Sequence, residues 1–139
     1  MKKKEPRGIR NNNPLNIRKG NNWLGERPNQ TDPAFEEFTS LEMGIRAGFK
    51  LLRNYITGMN GKREPADTIE KIIRRWAPES ENDTKAYIRT VCNITGKNSR
   101  EKIFFSNREF MCNLFRAMAY QECGVFLPLE RIQSGYDLI

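Results

Sequence analysis

The sequence has 139 residues and a formal net charge of +7, and this length suits one domain with its own hydrophobic core. It contains no histidine, which excludes Ser-His-Asp and Cys-His catalysis and the common zinc sites. Its three cysteines lack metal-ligand spacing and cannot all pair, so we interpret them as reduced core residues. Any catalysis must therefore use carboxylates, tyrosine, lysine or amides, and we expect neither a metal nor another cofactor.

The basic residues are concentrated at the N-terminus, where the first 19 residues hold seven basic residues and one acidic residue. Glu5 and Pro6 follow the lysines at 2–4, where a signal peptide would need an apolar stretch, and no apolar run could span a membrane. We therefore expect a protein made in the cytoplasm, without membrane insertion, with a basic arm at 1–9 and one domain at 10–139. Because the charge lies in an arm, it favours a solubilising tail or attraction to a polyanion such as a cell-wall polymer over a nucleic-acid partner.

A loop and two short strands come first in chain order. Asparagine tolerates left-handed backbone angles and Pro14 disfavours helix through Asn13, so residues 7–22 predict an ordered loop. Residues 23–25 and 34–38 are typical of short strands, and the turn residues between them indicate a reversal of the chain. We expect a small β-hairpin near the N-terminus.

Helical signals fill the rest of the chain. Capping residues begin each segment, and apolar side chains at helical spacing continue it until a glycine or proline ends it. The predicted helices run from Thr39 to about Ile56, from Asp67 to Pro78, from Asn82 to Gly96, from Ser106 to about Gly124, and from Pro128 to about Asp137. The fold is therefore predicted to be mainly α, with five or six helices.

Glu122 is the best candidate for a general acid. It lies at the C-terminal end of an apolar helix, where Gly124 is placed to be the left-handed cap. The negative end of the helix dipole and partial burial would both raise the pKa of its carboxyl. A glutamic acid still protonated near neutral pH is what protonation of a glycosidic oxygen requires. The alternative is a surface glutamate at a frayed helix end.

Two further segments carry polar groups suited to a sugar ligand. Residues 10–18 and Trp23 offer several amides, two guanidinium groups and an aromatic ring, although the asparagines could instead hydrogen-bond their own backbone. Residues 76–87 join two helices through an acidic, polar elbow in which Tyr87 lies about one turn after Asp83. This elbow is either part of a site or a capped inter-helix turn with a core tyrosine.

The order of these motifs resembles the bacterial N-acetylglucosaminidases of the flagellar and autolysin type. The shared order is Asn-Asn-Pro-x-Asn-Ile, Trp-x-Gly, Phe-x-x-Phe-x-Ser, a helix, and Trp-Ala-Pro-x-x-x-Asn-Asp-Thr-x-x-Tyr, over about residues 10–95. The resemblance implies an enzyme with a lysozyme-like α+β fold that cleaves the glycan strands of peptidoglycan. That family places its catalytic glutamate before the Asn-rich segment, where this chain has only Glu5. The helix end at 120–124 resembles the missing piece, so we infer a circular permutation that moves the acid-bearing helix to the back of the chain.

The resemblance also implies the roles of individual residues. Glu122 and Tyr87 would be catalytic. The substrate-binding positions would be Arg10, Asn12, Asn13, Asn16, Trp23 and Asp83. A second carboxylate on the hairpin, Asp32, Glu36 or Glu37, would activate water or stabilise positive charge; alternatively, the N-acetyl group of the substrate would serve, with help from Tyr87.

The opening Arg-Gly-Ile-Arg-Asn-Asn-Asn-Pro at 7–14 also resembles small phage proteins described as virion or structural proteins. From the first resemblance we predict a peptidoglycan glycosidase or lytic transglycosylase. The alternative, from the second resemblance, is a non-catalytic virion, structural or wall-binding protein of the same fold. The expected partners are the glycan strand and other proteins of a virion or secretion machine. Cell lysis, a virion or a secretion machine would bring the protein to the wall.

Overall fold

The computed structural model describes residues 5–139, and six helices organise this part of the chain. The helices are α1 (Arg7–Arg10), α2 (Leu41–Gly61), α3 (Ile69–Trp76), α4 (Thr84–Thr95), α5 (Arg108–Cys123) and α6 (Leu129–Asp137). The mainly helical prediction is therefore confirmed. The lysines at 2–4 of the predicted basic arm lie outside the described residues.

The helix ends follow from local chemistry. Each of α2 to α5 begins after a side chain that accepts a hydrogen bond from the amide three residues later, and these caps are Ser40, Thr68, Asp83 and Asn107. The helices α4 and α5 end at left-handed glycines, Gly96 and Gly124, as predicted. Each of the four N-terminal caps lies one residue after the predicted start, because the next polar side chain along the chain supplies the accepting oxygen.

The predicted β-hairpin is not formed as a pair of strands. Strand pairing in the described chain is limited to two isolated antiparallel bridges, Arg18 with Phe35 and Glu26 with Phe38. Residues 34–39 form backbone hydrogen bonds with three separate segments, at 17–19, at 25–27 and at Asn11, instead of with 23–25 alone. No continuous ladder can form with such short partners. The predicted loop at 7–22 also differs at its start, because residues 7–10 form one turn of helix.

Asn13 holds this irregular region together. Its side-chain amide donates to the carbonyl oxygens of Ile17 and Glu36, at 2.9 and 3.0 Å, and its Oδ1 accepts from the Ile17 amide at 2.9 Å. The side chain is fully buried. It therefore supplies the bonds that a strand ladder would otherwise make.

The hydrophobic core lies between α2 and α5. Phe49 of α2 and Phe115 of α5 contact each other with ring centroids 4.6 Å apart, and α6 packs on both helices. The helix α4 packs on α5 and α3 packs on α4, while α1 lies against α5. The segment between α1 and α2, residues 11–40, is called the front loop. A smaller cluster of Ile17, Phe38 and Ala47 attaches it to α2. None of the helices in the described chain is both long enough and apolar enough to cross a membrane.

Candidate functional site

A cavity of about 550 Å³ opens where the front loop, α2, the elbow and the end of α5 meet. The loop contributes residues 15–18, and the elbow contributes Trp76, Ala77, Glu81 and Asn82. Leu51 and Tyr55 line it from α2, and Glu122 lines it from α5. The cavity thus gathers parts of all three segments that the sequence marked as polar and functional.

Glu122 contacts one side chain from each of two distant segments. The Asn16 side-chain amide donates to one carboxyl oxygen at 3.2 Å, and the Tyr87 hydroxyl donates to the other at 3.0 Å. Asn16 has a left-handed backbone (φ 53°), which asparagine tolerates better than most residues. The front loop, α4 and the end of α5 therefore meet at a single carboxyl group.

The surroundings favour the protonated form of Glu122. Burial raises its pKa above the ordinary value, although hydrogen bonds from Asn16 and Tyr87 and the nearby Trp76 indole act in the opposite direction. Tyr87 is 3% exposed, and burial together with the adjacent carboxylate raises its pKa well above the usual range. Tyr87 therefore stays protonated and remains a donor to Glu122.

The Cys123 side chain holds the end of α5 against the start of the chain. The Cys123 thiol donates to the carbonyl oxygen of Pro14 at 3.2 Å, and Gly8 of α1 lies so close that a Cβ there would be 2.5 Å from the sulfur. Gly124 caps the helix directly afterwards. These contacts set the position of Glu122 relative to Asn16.

The other predicted substrate-binding residues are engaged away from the cavity. The Asn12 amide donates to the carbonyl oxygen of Phe38 at 3.1 Å, and Asn13 makes the loop bonds described above. Arg10 is exposed, and Asp83 caps α4 by accepting from Ala86. None of these four lines the cavity. Their assignment to substrate binding stays a prediction.

Trp23 packs beside the cavity and not in its wall. It is half-buried against the cluster of Ile17, Phe38 and Ala47, which also contacts Trp76. Its indole nitrogen is buried and has no hydrogen-bond partner among the described protein groups. A role for Trp23 in binding likewise stays a prediction.

Two of the three candidate second carboxylates are bonded within the loop. Asp32 accepts from the Arg7 guanidinium and from Asn11, and these bonds together with nearby amides hold its pKa well below the usual range. Glu37 accepts from the amide and hydroxyl of Thr31 at 3.0 and 2.9 Å. Neither side chain lines the cavity, so each is placed to stabilise the loop.

Glu36, the third candidate, is also outside the cavity lining. It is buried, and burial together with the neighbouring Glu26 carboxyl raises its pKa to about 7. The carboxyl that does line the cavity besides Glu122 is Glu81 of the elbow.

Sequence reasoning did not single out Trp76, Glu81, Leu51 or Tyr55 as site residues. The first two belong to the elbow, whose polar composition was the available signal. Leu51 and Tyr55 sit four residues apart on one face of α2, a spacing that is equally typical of plain core. Across the described residues, no group of three or more His, Cys, Asp or Glu side chains is placed to hold a metal ion.

Comparison with known proteins gives a phage relative. No protein-family model matches the sequence. The chain is 48% identical over 136 residues to protein P5 of Pseudoalteromonas phage PM2, and the alignment covers 94% of this chain and 80% of P5. The predicted relationship to phage proteins is therefore confirmed.

Proposed function

This chain belongs to the family of protein P5 of Pseudoalteromonas phage PM2, and we propose that it is a lysozyme-like phage enzyme that cleaves the glycan of the bacterial cell wall. Glu122 is the general acid. The observation that carries the proposal is the contact of Glu122 with Asn16 and Tyr87 at the cavity. A partly buried carboxyl group beside an open cavity suits protonation of a glycosidic oxygen.

The contacts between the two ends of the chain support a circular permutation. In the N-acetylglucosaminidases that this sequence resembles, the acid-bearing helix precedes the Asn-rich segment. Here α5 follows that segment, yet Asn16 and Pro14 contact Glu122 and Cys123 at its tip. These contacts are what such a permutation would require, since the acid-bearing helix must still reach the Asn-rich segment.

In the proposed mechanism, Glu122 donates its proton to the oxygen of the scissile bond as that bond breaks. Positive charge then develops at the anomeric carbon and must be stabilised from the opposite side. Asp32 and Glu37 are engaged in loop bonds and Glu36 lies outside the cavity lining, so this role falls to the acetamido group of the substrate or to Glu81, the other carboxyl at the cavity. Water, or a hydroxyl of the same sugar in a transglycosylase, then bonds to the anomeric carbon and returns a proton to Glu122. Tyr87 acts as a positioning residue, because its hydroxyl holds the Glu122 carboxyl.

The test is release of soluble sugar from purified peptidoglycan by the wild type, Glu122→Gln and Glu64→Gln. Glu64 is exposed and lies outside the cavity lining, so Glu64→Gln is a matched control. Loss of a general acid lowers the rate by about 100-fold or more, whereas the control keeps full activity. Equal activity of Glu122→Gln and the wild type would refute the assignment.

A second candidate function is a non-catalytic phage structural or wall-binding protein. It is favoured by the phage relationship, and by the absence of Asp32, Glu36 and Glu37 from the cavity lining. In this case the polar contacts of Glu122 serve stability alone. Absence of sugar release by a folded wild type, with retention on insoluble peptidoglycan, would favour this function over the enzyme.

A further inference from the structure

Arg18 is a positioned guanidinium group at the cavity wall. Its backbone pairs with Phe35 in an antiparallel bridge, and the adjacent Lys19 amide donates to the Ala34 carbonyl oxygen at 2.9 Å. The guanidinium lies over the Phe35 ring, 5.4 Å from its centroid. The Arg7 guanidinium lies nearer to the same ring, 4.5 Å from its centroid, and the Arg18 side chain is exposed, so the paired backbone is the main support that keeps Arg18 at the cavity wall.

Within the described chain, Arg18 is one of the arginines that have no carboxylate partner. Arginines that do form ion pairs with acidic side chains are Arg7, Arg27, Arg74, Arg100, Arg108 and Arg131. Among the described residues that line the cavity, Arg18 is the one basic residue. Its donors are therefore available to a ligand in the cavity.

We propose that Arg18 binds a carboxylate of the substrate, so that the site selects carboxylate-bearing wall glycan over neutral glycan such as chitin oligosaccharides. This inference rests on the proposed function. A guanidinium presents paired donors that match a carboxylate in a bidentate arrangement. Peptidoglycan carries carboxylates on its stem peptides, or on the lactyl groups once the stems are removed, whereas chitin carries none.

The experiment compares the wild type, Arg18→Gln and Arg53→Gln on four substrates. These are intact peptidoglycan, stem-free glycan strands, the same strands with their carboxylates amidated, and chitin oligosaccharides. Arg53 is a matched control, because it also lies over an aromatic ring (5.9 Å from the Phe105 centroid) but does not line the cavity.

We expect Arg18→Gln to lower kcat/KM by roughly 10- to 100-fold on carboxylate-bearing substrate, the range for a charged hydrogen-bonded pair. Amidated strands and chitin should be cleaved equally by Arg18→Gln and the wild type, and Arg53→Gln should match the wild type throughout. The substrate on which the loss appears distinguishes stem from lactyl carboxylates. A loss of the same size on charged and neutral substrates, or no loss, would overturn the proposal.

A binding measurement separates this proposal from the proposed function. Co-sedimentation with insoluble peptidoglycan is measured for Glu122→Gln with and without Arg18→Gln. If the wild type releases no sugar, the enzyme proposal fails, but weaker sedimentation of the Arg18→Gln protein would still support carboxylate binding. Equal sedimentation, or no sedimentation of either protein, would refute the role of Arg18.

Discussion

Glu122 shows how one residue acquires its chemistry from its neighbours. A glutamate on an exposed helix end would ionise normally, but here burial beside the cavity opposes ionisation while the Asn16 and Tyr87 donors favour it. Burial dominates, so the pKa is raised. A carboxyl group whose pKa is raised in the folded state favours folding when protonated. That contribution is fully present below the unfolded-state pKa of about 4.3 and is lost as the pH rises through the folded-state value.

Replacing Glu122 by glutamine should therefore stabilise the protein at high pH only. The amide oxygen keeps an acceptor for the Tyr87 hydroxyl, its NH2 can donate to Asn16 Oδ1 once the Asn16 side-chain amide turns over, and the cost of a partly buried charge is removed. We expect Glu122→Gln to melt about 3 °C above the wild type near pH 8, and the difference to disappear near pH 4. Melting curves followed by circular dichroism measure this, with Glu64→Gln at the exposed surface as the control. A lower melting temperature for Glu122→Gln near pH 8 would contradict the assigned environment.

At the scale of elements, close backbone approach decides how the front loop docks on α2. Gly44 of α2 lies against the carbonyl oxygen of Asn12, and a Cβ at Gly44 would be 1.7 Å from that oxygen. The side-chain amide of Asn12 also donates a hydrogen bond to the carbonyl oxygen of Phe38. The loop therefore has no freedom to move away from a larger side chain without breaking bonds of its own.

The substitution Gly44→Ala should consequently be far more costly than a glycine substitution at a helix end. We expect a loss of about 3 kcal/mol in the free energy of unfolding, because the obstructing atom is backbone. At Gly96 an added Cβ meets nothing within 4 Å, so Gly96→Ala should cost about 1 kcal/mol through its left-handed angle alone. Urea denaturation of the two variants compares these losses; equal losses would show that the loop yields.

The same scale explains which elements could be predicted from sequence. The helix starts at Thr68 and Asp83 and the stops at Gly96 and Gly124 depend on side chains within one turn. Local patterns therefore located the two stops and placed the two starts within one residue. The prediction of a β-hairpin was wrong because strand pairing depends on residues that are distant in the sequence. Residues 34–39 form backbone hydrogen bonds with several separate segments, and a local pattern carries no information about that choice.

On the scale of the whole molecule, the front of the chain is bound to its middle and to its back. Arg7 pairs with Asp32, α1 packs on α5, and Cys123 bonds Pro14. Asp32 is 8% exposed, and the Arg7 guanidinium is the largest cause of its lowered pKa. A carboxyl whose pKa is lowered on folding stabilises above the unfolded-state pKa of about 3.9, and this contribution is lost as the pH falls.

Removing Arg7 should therefore weaken the fold in a pH-dependent manner. We expect Arg7→Ala to lower the melting temperature clearly near neutral pH, and by less as Asp32 becomes protonated in acid. Arg10→Ala is the control, since this neighbouring arginine is exposed and forms no ion pair with the described residues. Thermal melts between about pH 1.5 and pH 7 test this, because the contribution of Asp32 falls only below the unfolded-state pKa of about 3.9. A loss that is constant with pH would mean that the ion pair is not its cause.

Sequence alone determined the helical class, most helix ends, the absence of histidine chemistry and the candidacy of Glu122, because these follow from residue type and short-range spacing. Only the tertiary structure decided that Glu122 meets Asn16 and Tyr87, that Asp32 and Glu37 serve the loop, and that Arg18 and Glu81 line the cavity. The physical reason is distance along the chain. Asn16 and Glu122 are 106 positions apart, and their contact depends on how α1, α2 and α5 pack, which no local pattern specifies.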